Sequence, residues 1–334
     1  MKIVVPMAGM GKRMRPHTLT TPKPLLPIAG KPIVQRLVED IAQISHEPIS
    51  EIGFIIGDFG SDIENDLKEI AANLGAEGKI FHQEEALGTA HAILCAQECL
   101  EGPVIVAFAD TLFKADFKLD ETKDGVLWVQ KIDNPEQFGV VKVDENFNIT
   151  DFVEKPREFV SDLAMIGIYY FKDGENLKGE LQYLIDNKII KDGEYQLPDA
   201  LKNMTEKGKK FSPGAVLDWL DCGNKNATVR TNQRILQYNK DKDWVSPTAE
   251  IEDSIIIPPC YIGQNTVLVN SVIGPHVSIG DNSNIENSVI SNSIVQTNTS
   301  LQNANFTNSM IGNFVDYKAP AKEVSLGDYS TEGK

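Results

Sequence analysis

From about Ser246 onward an aliphatic residue returns at a fixed step, and this period constrains the fold more than any other feature of the chain. Ile262-Gly263, Ile273-Gly274 and Ile279-Gly280 recur, and Ile273, Ile279 and Ile285 lie six residues apart, with Asn, Ser and Thr in most positions between. One inward aliphatic per six residues is the mark of a hexapeptide β-helix. Each short strand buries one aliphatic side chain, while Gly and Asn occupy the tight corners because they tolerate positive φ. An Asn- and Ser-rich disordered tail would share the composition but not the regular Ile and Val placement. The expected division is a main domain over 1–228, a linker helix over 229–245, the β-helix over 246–315 and a loose tail over 316–334.

The chain ahead of the repeats reads differently. Ile3 to Pro6, Ile52 to Ile56 and Val104 to Phe108 are continuous, apolar and rich in β-branched residues, as strands buried on both faces are. Helical patterns lie between them, at Pro32 to Ile44, Ser61 to Leu74 and Thr89 to Glu98. This alternation predicts an α/β fold with a Rossmann-like, mostly parallel but mixed sheet covered on both faces. Ligands gather at the carboxyl ends of the strands in such sheets, so chemistry is expected in the loops after Pro6, Ile56 and Phe108.

Charge narrows the choice of ligand. The formal net charge is −16 over 334 residues, a field that repels phosphate backbones and anionic lipid. Neither nucleic acid nor a membrane is expected as a partner; a homo-oligomer is compatible with the sequence. Any phosphate site must be a local cluster of positive groups. Cys95, Cys99, Cys222 and Cys260 show no CxxC spacing and no His at metal spacing, which points to a reducing compartment. The first residues do not read as a secretory leader and no apolar run reaches membrane-spanning length, so the expected location is cytoplasmic.

The local cluster follows the first strand. Met7-Ala8-Gly9-Met10-Gly11-Lys12-Arg13-Met14-Arg15-Pro16 leads on to Pro22-Lys23-Pro24-Leu25 and Gly30-Lys31-Pro32. Gly9 and Gly11 let backbone N–H groups approach a triphosphate closely. Arg13 can fork two phosphate oxygens, and Lys23 supplies a compact charge. A dinucleotide fingerprint would need Gly where Met14 stands, and a P-loop would need Gly-Lys-Ser/Thr after a four-residue gap; neither is met.

This stretch resembles the sugar-1-phosphate nucleotidylyltransferases, whose usual pattern is GGxGTRLxPxTxxxPKPLxPxxGKP; here Lys12 stands for Thr. The resemblance is dense over residues 1 to about 225 and looser across the repeats. It implies a GT-A-like nucleotidyltransferase fold with a short C-terminal left-handed β-helix. It also implies an enzyme that joins a nucleoside triphosphate to a sugar 1-phosphate, with Mg²⁺ as cofactor and pyrophosphate released. Carried over residue by residue, it makes Arg13 and Lys23 catalytic and places the nucleotide on Ala8, Gly9, Gly11, Gln83 and Gly88. Gln83, in His82-Gln83-Glu84, would pair with the edge of a pyrimidine, as a primary amide with both donor and acceptor can. Gly88, in Leu87-Gly88-Thr89-Ala90, would lie against the base, and His91 beyond it reads as a packing residue. Asp110, in Ala109-Asp110, and Asp221, in Trp219-Leu220-Asp221-Cys222-Gly223, would supply the metal carboxylates. Gly139, Glu154, Lys155 and Gly167 would hold the sugar phosphate, in Phe138-Gly139-Val140-Val141, Glu154-Lys155-Pro156 and Ile166-Gly167-Ile168-Tyr169.

Gln83 points to dTTP or UTP, and family frequency points to glucose 1-phosphate. Two other readings stand beside this one. A bifunctional enzyme would use the β-helix for acyl transfer, with only His276 available in the repeats. A silent regulatory subunit would not need Arg13, Lys23, Asp110, Lys155 and Asp221 together. Asp110→Asn is expected to remove most turnover with the fold nearly unchanged.

Overall fold

Ile3, Val4 and Val5 are wholly buried on β1 (Lys2–Pro6), a strand with a parallel neighbour on either side. The structure is a computed structural model that describes residues 1–331; the last residues of the expected tail, 332–334, lie outside the described residues. The chain divides into two compact units, one comprising Met1–Leu26 and Lys31–Ala227, the other Pro27–Gly30 and Thr228–Lys334.

After β1 the main elements of the first unit are α1 (Ile33–Ile44), β2 (Glu51–Ile56), α2 (Ser61–Asn73), β3 (Glu77–His82), α3 (Thr89–Cys95) and β4 (Val104–Ala107). There follow β5 (Thr111–Lys114), β6 (Gly125–Lys131), β7 (Gly139–Val143), β8 (Ile149–Glu154) and β9 (Leu163–Phe171). The unit is completed by α4 (Gly174–Asp186), α5 (Leu197–Glu206), β10 (Phe211–Ala215) and β11 (Asp218–Asp221); α6 (Lys225–Tyr238) comes next. Helix α1 forms because Ile33, Val34, Leu37, Val38, Ile41 and Ile44 make one apolar stripe at i, i+3, i+4 spacing, and all six are buried. Asp173 caps α4 by accepting the Asn176 N–H at 2.9 Å.

Nine strands form the main sheet, in the order β8-β7-β9-β4-β1-β2-β3, with β6 on β9 and β10 on β6. Strands β4, β1, β2 and β3 are mutually parallel, while β9 runs antiparallel to β4. The sheet is therefore mixed, and its order reverses between β1 and β4. At such a switch point the loops leaving two neighbouring strands part to opposite faces and open a crevice. The loops after Pro6 and Ala107 flank this one.

In the second unit, short strands from Glu250–Glu252 to Asp316–Lys318 stack into three parallel sheets, an arrangement consistent with a β-helix. Ile273, Ile279 and Ile285 fall on three successive sheets and are wholly buried. The repeat is shorter than three six-residue sides would make it. Glu250 pairs with Val267 and Val267 with Asn284, steps of 17, while Asn284 pairs with Ser300 and Ser300 with Asp316, steps of 16. The corners explain both values. Asn270-Ser271 and Asn287-Ser288 turn in two residues, with Asn at φ 47° and 48°. The change from 17 to 16 occurs where the corner Gly274-Pro275-His276 gives way to Asn292-Ser293 one coil later. The tail expected from 316 also begins inside the stack, since Asp316–Lys318 pairs with Ser300–Gln302. Among the described residues no helix is long and apolar enough to cross a membrane.

Candidate active site

The chain leaves β1 with the Met7 N–H still on the Ile55 carbonyl at 2.8 Å, then turns through Gly9 and Gly11. Gly11 sits at φ 55°, with Thr18 Oγ1 donating to its carbonyl at 2.8 Å; a Cβ there would stand 3.0 Å from Lys23 Cβ. The loop is thus folded back over the turn that carries Lys23. At Gly9 the space is open. A cavity of ≈ 590 Å³ begins here and is lined by Ala8, Gly9, Gly11, Arg13 and Lys23, with Gln83, Gly88 and Asp110 opposite.

Gln83 follows β3, its N–H held by the Ile56 carbonyl at 2.9 Å. Its side-chain Nε2 lies 3.3 Å from the Gly88 carbonyl oxygen and 3.2 Å from His91 Nδ1. Gly88 caps α3 at φ 112°, and a Cβ there would overlap the Tyr195 backbone. Glycine is needed on both counts.

A second cavity of ≈ 480 Å³ shares Arg13, Thr89, Phe108 and Asp110 with the first. It is lined further by Gly139, Glu154, Lys155, Gly167 and Asp221. Gly139 opens β7 beside the end of β8, and a Cβ on it would stand 2.7 Å from Glu154 Oε2. Gly167 lies where β9 slips register against β6, between Met165 and Tyr169, and its carbonyl accepts the Phe108 N–H at 2.9 Å. Phe138 and Trp219 meet edge to face at 4.8 Å in the wall. Burial, and then the Glu154 carboxylate, push the Tyr169 phenol above its usual range, so it stays a neutral hydroxyl.

The two acids converge through strand pairing. β5 and β11 run antiparallel with Thr111 opposite Asp221, and the Cys222 N–H donates to the Asp110 carbonyl at 2.9 Å. Lys23 Nζ lies 2.9 Å from Asp110 Oδ2, with the lysine side chain 9% exposed. Burial raises the Asp221 carboxyl above the ordinary range, and the Asp110 charge adds to this, while the Gly223 N–H, 2.7 Å from Asp221 Oδ1, pulls it back.

All the singled-out site residues border one or both cavities, but the flanking signature does not. Gly30 belongs to the second unit, where a Cβ would overlap the Tyr261 ring, and Lys31 pairs with Glu39 at 2.8 Å. That segment has a packing role. Sequence reasoning passed over Glu194 in the first cavity and Gln196 in the second. Their segment is fastened to the Gly88 corner by Tyr195 N–H to Leu87 O at 2.8 Å, Ala90 N–H to Tyr195 O at 3.0 Å and Leu197 N–H to Thr89 Oγ1 at 2.9 Å. Contacts over so long a separation leave no local pattern to find. His91, read as packing, touches the side chain of Gln83.

Residues 2–238 match the nucleotidyl transferase family. The chain is 27% identical to a glucose-1-phosphate thymidylyltransferase of Streptomyces antibioticus, over 99% of this chain and 98% of that one. It is 30% identical to the bifunctional protein GlmU of Methanococcus maripaludis over 77% of its own length, and spans 60% of that relative. A nucleoside-diphosphate-sugar pyrophosphorylase from Vibrio cholerae shares the fold with a TM-score of 0.60 at 21% identity, over 69% of this chain and 99% of that one.

Proposed function

Because the chain belongs to the nucleotidyl transferase family and is a sugar-1-phosphate nucleotidylyltransferase, we propose that it transfers the nucleotidyl group of dTTP or UTP to glucose 1-phosphate. The observation that carries this reading is the pair of cavities joined at Arg13 and Asp110. A triphosphate laid along the glycine loop brings its α-phosphorus to that shared wall, within reach of a sugar phosphate held in the second cavity.

The reaction joins two anions, so the work lies in alignment and charge neutralisation. A sugar phosphate oxygen attacks the α-phosphorus, the bond to the β-phosphate oxygen breaks in line, and pyrophosphate departs. No general base is required, since a phosphate monoester is largely ionised at neutral pH. Arg13 and Lys23 stabilise charge on the transferred and departing groups. Lys155 aligns the attacking phosphate, while Glu154 and the Gly139 backbone hold sugar hydroxyls. Catalysis is assigned to the first unit, and the β-helix, taken as left-handed, is structural.

The residues also fit a divalent cation. Asp110 and Asp221 are two like charges near one another, the Asp110 charge raising the cost of ionising Asp221, and a hard cation with phosphate oxygens and water relieves that repulsion. Asp110 and Asp221 would hold Mg²⁺, which when bound supplies charge neutralisation on the triphosphate.

The acyltransferase reading draws on the bifunctional name of the GlmU relatives. Against it stands His276, the histidine of the repeats: its Nε2 is 3.0 Å from Gln237 Oε1, and burial lowers its pKa. Pyrophosphate release measured over a grid of nucleoside triphosphates and sugar 1-phosphates tests the proposal. Turnover is expected with dTTP or UTP and glucose 1-phosphate; equal or better turnover with GTP would remove the pyrimidine reading, and acetyl-CoA-dependent acylation of a sugar phosphate would restore the second function.

A further inference from the structure

We propose that His91 is a positioning residue for base recognition: its Nδ1 holds the Gln83 amide so that an acceptor faces the base, which selects uracil or thymine over cytosine. The inference rests on the reading of Gln83 as the residue that meets the base edge.

Gln83 Nε2 lies 3.3 Å from Gly88 O and 3.2 Å from His91 Nδ1. An amide nitrogen donates and does not accept, so His91 Nδ1 is the acceptor and the imidazole carries its proton on Nε2. Both amide hydrogens are then engaged, by the residue that caps α3, Gly88, and by His91 in its first turn. Turning the amide over would set Oε1 against the Gly88 carbonyl oxygen, acceptor against acceptor, and would require the imidazole to move its proton to Nδ1. The Gly88 carbonyl thus sets the orientation and the Nε2–H tautomer of His91 holds it, and Oε1 takes no partner among the described residues.

Gln83 borders the nucleotide cavity, so the group it offers there is an acceptor. Uracil and thymine meet it with N3–H. Cytosine presents an unprotonated N3 at the same position and leaves two acceptors facing each other. The Gly88 N–H, also without a partner among the described residues, completes an acceptor–donor pair that suits N3–H and the adjoining carbonyl. Guanine offers a similar pair, so its exclusion depends on size, and the ratio of UTP to CTP is the clean readout.

The experiment measures kcat and KM with UTP, dTTP and CTP for the full chain and for Gln83→Ala, His91→Leu and His91→Asn. Loss of the orienting contact should lower the UTP:CTP ratio of kcat/KM by about tenfold in both Gln83→Ala and His91→Leu, mostly through KM for the nucleotide. His91→Asn, whose Oδ1 offers an acceptor close to the place of Nδ1, should recover most of the ratio. His91→Phe, which keeps a ring but no acceptor, replaces the Leu variant should that one fail to fold. An unchanged ratio in His91→Leu beside a collapsed ratio in Gln83→Ala overturns the positioning role alone, as does failure of Asn to recover it. An unchanged ratio in Gln83→Ala overturns the base-reading role on which it rests.

Discussion

The two units both turn the main chain through positive φ, yet they use the polar groups at those turns in opposite ways. In the β-helix, Asn265 Nδ2 donates to Asn282 Oδ1 at 3.2 Å and Asn270 Nδ2 to Asn287 Oδ1 at 2.6 Å, one coil apart. Serine does the same for the backbone: Ser254, Ser271 and Ser288 Oγ accept the N–H groups of Ser271, Ser288 and Ala304 at 2.9, 3.0 and 2.9 Å. These groups use their polar capacity inside the stack. In the first cavity, Lys12 and Arg13 follow the positive-φ Gly11 and make no ion pair within 4 Å among the described residues. Unmatched cations in a chain of net charge −16 are a feature of a site, whereas a closed ladder of amides and hydroxyls is a feature of a scaffold.

The sharpest way to break this contrast is Asp110→Asn. It removes a full charge at the junction of the cavities and should lower kcat/KM by roughly 10²–10³ or more, the size expected for losing one preorganised electrostatic contact. The fold is expected to stay nearly unchanged, but not its stability. Lys23 is almost enclosed and its Nζ is 2.9 Å from Asp110 Oδ2, so Asn leaves a buried ammonium with a neutral partner. Thermal melting should therefore show a loss of stability alongside the loss of turnover. Near-normal pyrophosphate release at limiting Mg²⁺ would remove Asp110 from the site.

Ser288→Ala probes the scaffold side. The hydroxyl is buried, accepts from Ala304 N–H and donates to the Glu286 carbonyl at 2.7 Å. Its loss leaves a buried N–H without an acceptor, a destabilisation of about 1–3 kcal/mol. Melting should fall while kcat stays at the wild-type value; a matching fall in kcat at temperatures well below the melt would mean that the stack contributes to the chemistry.

Asp40→Asn is the smallest effect and the subtlest. This α1 carboxyl borders neither cavity, and its pKa is pushed up to about 6, chiefly by burial, with Arg36 and Lys114 pulling it down. A folded pKa above the unfolded value near 3.9 means that the ionised form burdens the folded state at pH above about 6, a burden that fades as pH falls towards about 4. Asp40→Asn should therefore stabilise by on the order of 1–2 kcal/mol at pH 8, little at pH 4, with activity unchanged. Melting at the two pH values checks it. A stabilisation that is the same at both would place its cause elsewhere.

The aliphatic repeat, the buried strands and the glycine loop were legible because each is written in neighbouring residues: a period, a composition and a short motif. Local physics suffices there, since side-chain periodicity decides which face is buried and glycine decides where the backbone can turn. Even in the repeats, the true coil length was hidden, because it depends on two-residue corners whose pairing is visible only between coils. The pairing of Thr111 with Asp221, the fastening of Tyr195 to the Gly88 corner and the hold of His91 on Gln83 came from the tertiary structure. So did the packing of Gly30 against the Tyr261 ring. Residue types and their spacing along the chain determine which chemistry is on offer; which groups are matched internally, and which are left facing a ligand, is decided by contacts between segments distant in sequence.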